Sequence, residues 1–194
     1  MAQRIRSGLR LGKYSLLSIF ILVFLGFWLK EKTASHPRYT KIFYHLGDDA
    51  EAKGRSAQAE RYYRKAISLD PAFAPSYHRL GSIYEKRGDL EQARKYYERA
   101  VFINSDFPEA FYDLGMMLLK ENHDQEAAAY LERSVEGFPY PKFRYGLGLA
   151  YIKLGKKEKA LDLAQSIKSQ GASNLAEDLE NAIKNSGKSA NVKQ

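Results

Sequence analysis

The fold is decided by the stretch APSYHRLGSIYEKRGDLEQARKYYERAVFINSDF, residues 74–107, whose pattern recurs on both sides of it. The pair Leu-Gly within this stretch occurs four times in the chain, at successive spacings of 34, 34 and 33 residues. The four pairs are Leu46-Gly47, Leu80-Gly81, Leu114-Gly115 and Leu147-Gly148. An alanine follows each glycine by twelve residues: Ala59, Ala93, Ala127 and Ala160. A fixed period of this length predicts four structural repeats.

Each unit has the pattern of a helical hairpin. Apolar residues recur at helical spacing on both sides of a central glycine, which is Gly54, Gly88 or Gly155, and Asn122 stands in its place in the third unit. We expect the Leu-Gly glycine and the later alanine to form small surfaces where the two helices cross. Because one hairpin cannot bury its own apolar face, the units must stack. The predicted units are 40–73, 74–107, 108–140 and 141–169.

This pattern resembles the tetratricopeptide repeat over residues 40–169. The resemblance implies an all-α, right-handed superhelical solenoid of helix-turn-helix repeats, in which the first helices line a concave, peptide-binding surface. Two positions depart from it, because Arg144 stands where an aromatic residue is usual and Ala164 replaces a later aromatic. After the fourth unit, an apolar stripe over residues 173–185 predicts a C-terminal capping helix, and residues 186–194 are predicted to be a disordered tail.

The N-terminal region is expected to anchor the chain in a membrane. The stretch YSLLSIFILVFLGFWL, residues 14–29, carries no charge and predicts a transmembrane signal anchor between a basic tail at 1–13 and a linker at 30–39. A cleaved signal peptide is the alternative, although the following KEKTASHP offers no good A-x-A-like cleavage site. We expect a bacterial-type inner membrane, with the N-terminus on its cytoplasmic side and the repeats outside the cytoplasm. The alternative places the repeats in the cytosol.

The net charge of +8 does not indicate a nucleic-acid-binding protein, because it belongs to the ends of the chain. Residues 1–41 have eight basic residues and one acidic residue, whereas residues 42–183 are slightly acidic. The cluster of Lys153, Lys156, Lys157 and Lys159 surrounds a turn, and a solvated loop is favoured there over a patch for an acidic partner or anionic lipid.

No motif for catalysis or for metal binding is present in the sequence. There is no cysteine, no glycine-rich phosphate loop, no H-E-x-x-H and no aspartate-rich calcium loop. His45 and His78 fall on consecutive first helices, but a pair of histidines without a carboxylate is a weak metal signal. We therefore expect no enzyme activity, no cofactor, no metal and no small-molecule substrate.

The first helices carry the predicted partner-binding groove, since residues at spacings of four and seven share one helical face. The groove residues are Tyr44, Asp48, Glu51, His78, Ser82, Glu85, Tyr112, Met116, Leu119, Tyr145, Leu149 and Ile152. The N-terminal half is acidic and the C-terminal half is apolar, which favours an amphipathic or extended protein segment with a basic end and an apolar end. Burial of the apolar residues against neighbouring helices is the alternative.

These features predict a membrane-anchored scaffold or adaptor for protein–protein interaction that acts in the assembly of an envelope complex. The alternative is a cytosol-facing membrane receptor that reads targeting segments of other proteins.

Overall fold

The computed structural model describes residues 37–137 and 140–190, and within these ranges every regular element is an α-helix. The described residues form one compact unit. The helices are α1 (Pro37–Ala52), α2 (Ser56–Leu69), α3 (Ala74–Lys86), α4 (Leu90–Ile103), α5 (Pro108–Lys120), α6 (Asp124–Gly137), α7 (Pro141–Lys153), α8 (Lys157–Ser169) and α9 (Ser173–Ala190). They pack in sequence as the hairpins α1–α2, α3–α4, α5–α6 and α7–α8.

In each hairpin, a proline lies at the start of the first helix, and a residue in the left-handed conformation lies in the turn that follows this helix. Each first helix has a proline in its first turn, where the missing N–H is not needed and the fixed φ already suits a helix. These prolines are Pro37, Pro75, Pro108 and Pro141. The turn inside each hairpin has positive φ at Gly54, Gly88 and Gly155, and Asn122 adopts the same conformation with φ of 64°. Asparagine tolerates this region better than most residues, so the third hairpin keeps its turn without glycine.

Stacking of the hairpins buries a core that runs along the array. Each second helix contacts the first helix of the next hairpin, and α9 contacts both α7 and α8. The core contains the repeating alanines Ala59, Ala93, Ala127 and Ala160, all fully buried. The all-α solenoid predicted from the 34-residue period is thus confirmed for the described part of the chain.

The ends of the array differ in detail from the sequence expectations. Helix α1 begins at Pro37, inside the predicted linker, and α9 extends to Ala190, beyond the predicted end at residue 185. The predicted transmembrane segment, residues 14–29, lies outside the described residues. Over residues 37–137 and 140–190, no helix combines the length and the apolar character that crossing a membrane requires.

The two positions at which the fourth unit departs from the repeat pattern, Arg144 and Ala164, also differ in their contacts. In the first three units a side chain of the second helix, Tyr63, Tyr97 or Leu131, packs on the Leu-Gly glycine. The fourth unit has Ala164 at this position, and Leu179 of α9 packs on Gly148 instead. Arg144 replaces the aromatic residue that elsewhere pairs with a second-helix tyrosine, and its buried Nη1 has no hydrogen-bond partner.

Candidate functional site

The candidate site is the surface that the first helices α1, α3, α5 and α7 form side by side, which we call the groove face. Side chains of successive first helices meet across it, as Arg79 Nε donates to the Tyr44 hydroxyl at 3.3 Å and His78 Nε2 lies 2.7 Å from Asp113 Oδ2. Each of these contacts joins a predicted groove residue, Tyr44 or His78, to a residue of a neighbouring unit that was not predicted, Arg79 or Asp113. Ten of the twelve predicted groove residues are partly exposed, whereas Tyr112 and Leu119 are buried.

Carboxylates in the N-terminal half of the groove face are paired with cations from the following repeat. Arg79 Nε lies 3.1 Å from Asp48 Oδ1. Lys86 Nζ donates to Glu51 Oε1 at 2.6 Å, and Lys120 Nζ repeats this contact with Glu85 one unit later, at 2.8 Å. The acidic half expected from the sequence is thus a set of ion pairs, in which the lysines are the exposed partners.

The same carboxylates accept hydrogen bonds from the hydroxyls of buried tyrosines on the second helices. The Tyr63 hydroxyl of α2 lies 2.8 Å from Asp48 Oδ1 and 3.0 Å from Glu51 Oε2 and shares its one hydrogen between them. The Tyr97 hydroxyl of α4 donates to Glu85 at 2.9 Å. Burial raises the pKa of both tyrosine hydroxyls, and the nearby carboxylates raise it further, so both remain protonated donors. Each carboxylate is therefore fixed in place between a buried donor and an exposed cation.

The third unit lacks this arrangement as a whole. Leu131 stands where the first two units have the tyrosine, and Leu119 stands where they have the glutamate. The two changes belong together, because a buried hydroxyl or carboxylate left without its partner is costly. Lys153 keeps the lysine of the pattern, but its Nζ donates to the Leu119 carbonyl at 2.8 Å and to Asn122 Oδ1 at 2.9 Å. On the groove face, the carboxylates held by buried tyrosines therefore end with Glu85 on α3.

Sequence reasoning missed Lys86 and Lys120 as groove residues and assigned Lys153 to a solvated turn. The available signal was their period, since these three lysines end their first helices at spacings of 34 and 33 residues. Two other lysines of the predicted turn cluster, Lys156 and Lys159, lie over the Tyr151 ring at 5.7 and 5.3 Å from its centroid.

Of the four predicted groove residues with ring side chains, Tyr112 is buried, whereas Tyr44, His78 and Tyr145 are partly exposed. The Tyr112 side chain is 8% exposed, and its ring centroid lies 5.1 Å from the centroid of Phe143. Lys142 Nζ lies 4.5 Å from the Tyr112 centroid. Gly146 permits the close approach, because a Cβ there would lie 2.7 Å from the Tyr112 ring. Tyr112 therefore joins α5 to α7 and is part of the core.

The other rings and the apolar residues remain partly exposed. Tyr44 packs edge-on against Phe73, and His78 packs in the same way against Phe107, with centroids 5.4 and 5.1 Å apart. Met116, Tyr145, Leu149 and Ile152 pack against the core with part of each side chain still accessible. The accessible predicted residues in the C-terminal half of the groove face are thus apolar or aromatic, whereas Leu119 and Tyr112 are buried.

Among the described residues, no group of three or more histidine, cysteine or carboxylate side chains is placed to hold a metal ion. His78 faces Asp113, and His45 Nδ1 lies 3.9 Å from Asp48 Oδ2, so each of the two histidines has a carboxylate neighbour of its own.

Comparison with known proteins identifies the class. A family model described as tetratricopeptide repeat matches residues 44–108, 78–140 and 112–174, which together make up more than half of the chain. The chain belongs to the tetratricopeptide repeat family, and its repeat array is a scaffold for protein–protein interaction. Comparison with curated proteins gave no match.

Solved structures with the same fold include three proteins of related architecture. MamA is 25% identical with a TM-score of 0.60, over 77% of this chain and 87% of MamA. The pilF protein of Pseudomonas aeruginosa is 17% identical with a TM-score of 0.62, over 77% of each chain. YrrB, described as a TPR protein with an unusual peptide-binding site, is 19% identical with a TM-score of 0.60, over 84% of this chain and 91% of YrrB.

Proposed function

We propose that this protein is a membrane-anchored adaptor that holds a segment of a partner protein on its groove face during assembly of an envelope complex. The observation that carries the proposal is the arrangement of the groove face itself, where ion pairs and half-buried rings on α1 and α3 adjoin an apolar surface on α5 and α7. Apolar residues 14–29 supply the anchor. The peptide-binding site named for YrrB supports the same use of this fold.

The charges define the partner segment. Its basic end would lie over α1 and α3, where it competes with Lys86 and Lys120 for Glu51 and Glu85. Both lysines are about two thirds exposed, and such exposed partners contribute little stability, so their displacement costs little. The apolar end of the segment would contact Leu149 and its neighbours. We expect affinity on the order of micromolar that weakens with salt, as for small interfaces with exposed charges.

Photo-crosslinking in cells tests the site. A benzoylphenylalanine at Tyr44 or at Leu149 should capture the same partner, because both positions lie on the groove face. The matched control is Phe102 on α4, which is 78% exposed and belongs to a second helix. Capture from Phe102 alone, or from all three positions equally, would contradict the groove assignment.

Extraction with carbonate tests the anchor. Wild-type protein should stay with membranes and keep its N-terminus, whereas Leu22→Lys with Phe24→Lys should be released, since each central lysine costs about 2.5–3.5 kcal/mol of insertion free energy. A soluble wild type with a mature N-terminus near Ser35 would establish a cleaved signal peptide instead.

Protease protection tests the orientation. Protease added to cells with a permeabilised outer layer should digest residues 40–194 if the repeats lie outside the cytoplasm. Digestion only after lysis of the inner membrane would favour the cytosol-facing receptor that reads targeting segments.

A further inference from the structure

Helix α1 exposes positions that every later repeat buries. Leu46 is 40% exposed, whereas the equivalent Leu80, Leu114 and Leu147 are at most 5% exposed. Ile42 is 46% exposed, whereas the equivalent Ser76, Ala110 and Phe143 are again at most 5% exposed. In the later repeats these positions pack against the preceding hairpin. On α1 they form an exposed apolar strip, defined by Ile42 and Leu46, and the neighbouring Tyr39 is 58% exposed.

The strip is apolar only in the N-terminal part of the helix. One turn beyond Leu46 the next position of the same face is Asp49, which is 58% exposed and paired with Lys53 at 2.7 Å. Its equivalents in the later repeats are the buried Ile83, Met117 and Ala150. A packed helix covering the whole face of α1 would therefore have to bury Asp49, which is costly for a carboxylate. A surface that covers α1 only up to Leu46 would leave Asp49 in water.

A lipid surface meets this requirement. Residues 30–36 are all that separates the apolar segment 14–29 from α1 in the sequence, and seven residues reach at most about 25 Å. Arg38 and Lys41 of α1 are exposed beside the strip, and Lys30 and Lys32 precede them, which suits anionic headgroups.

We propose that the part of α1 up to Leu46 lies on the bilayer, with Ile42 and Leu46 at the headgroup–acyl boundary and Asp49 in water. The proposal rests on the anchoring proposed above. It would fix the first repeat against the membrane and leave the groove face of the later repeats free for a partner.

The absence of cysteine from the chain allows a direct test with single labels. Full-length protein carrying an environment-sensitive NBD label at Ile42→Cys or Leu46→Cys is reconstituted in vesicles of phosphatidylcholine and phosphatidylglycerol. Emission should shift to the blue and be lost when brominated lipids are included. Matched controls are Lys53→Cys, just beyond the end of α1 with a 55% exposed side chain, and Phe102→Cys on α4; both should report water.

The outcomes separate this proposal from the anchor on which it rests. Vesicle-bound protein that floats with its lipids but shows water at Ile42→Cys and Leu46→Cys overturns the lipid contact and leaves the anchor intact. A disulfide that forms between two copies of the unlabelled Ile42→Cys protein, together with no quenching of the labelled protein by lipid, overturns it in favour of a second copy on this face. Protein that does not float at all overturns the anchor and the contact together.

Discussion

At the scale of single residues, the repeat depends on a large side chain packed on a glycine. The sequence suggested that the Leu-Gly glycine meets the alanine twelve residues later, as Gly81 with Ala93. The structure instead places the Tyr97 ring on Gly81, where a Cβ would lie 2.6 Å from it. Ala93 is buried as well, but it is the Tyr97 ring that requires position 81 to have no side chain.

The substitution Gly81→Ala tests this contact. The added methyl group must displace a ring whose hydroxyl is held by Glu85, so we expect a loss of about 1–3 kcal/mol of unfolding free energy. Urea denaturation followed by circular dichroism measures it. Lys65→Ala, at an exposed position of α2, serves as the control. Equal midpoints for the two variants would show that Tyr97 can move away freely.

The ion pairs of the groove face predict a dependence of stability on pH. Burial raises the pKa of the Glu51 carboxyl, but Lys86 and Tyr63 lower it more, and its net pKa lies below the usual value. The folded state thus binds this proton less readily than the unfolded state. The resulting stability is present above the unfolded pKa of about 4.5 and is lost as the pH falls through the folded pKa.

Glu51→Gln should therefore reduce the difference in urea midpoint between pH 7 and pH 3, because the substituted side chain no longer titrates. Glu109→Gln, at an exposed position of α5, is the control and should leave that difference nearly unchanged. The contribution of Glu51 to acid sensitivity would be refuted if the two variants lost the same amount of stability on acidification.

At the scale of helices, α9 completes the fourth hairpin. Ala164 leaves the space above Gly148 empty, and the fully buried Leu179 fills it from outside the repeat. The polar residues on the opposite face of α9 end the array, because Glu177, Asp178 and Asn181 are exposed. A terminal helix with one apolar face and one polar face is what a stack of repeats requires at its end.

Leu179→Ala should cost about 2–5 kcal/mol, as for other large-to-small changes at fully buried sites. Because each repeat contacts mainly its neighbours, amide exchange should accelerate in α7, α8 and α9 more than in α1 and α2. Hydrogen exchange with mass spectrometry measures this, with the exposed Glu177→Ala as control. Uniform acceleration along the chain would show that the array unfolds as one cooperative unit.

At the scale of the whole molecule, the groove face joins a charged part to an apolar part. Asp48→Lys with Glu51→Lys would place cations beside Arg79 and Lys86 and repel the basic end of the partner. We expect slower association with the crosslinked partner and a flatter salt dependence, measured by surface plasmon resonance. Glu109→Lys with Glu98→Lys makes the same change of charge at exposed positions of α5 and α4. Equal slowing by both pairs would indicate a general effect of net charge.

Tyr112 needs a different interpretation from the one its position in the sequence suggested. It was predicted to be a partner-binding groove residue, yet its burial against Phe143 makes Tyr112→Ala a destabilising change. Tyr145, which is partly exposed, is the better residue for testing binding in the C-terminal half of the groove face.

The sequence by itself determined the period, the hairpins and the face on which the groove residues lie. These features depend on helical spacing and on turns such as Gly88, which act within one unit. Only the tertiary structure showed which groove residues are accessible, because that depends on side chains one repeat away. Lys86 neutralises Glu51 from 35 residues further along the chain, and Gly146 allows Tyr112 to become buried. Helical spacing gives no information about such contacts, since they arise from the distance between stacked helices.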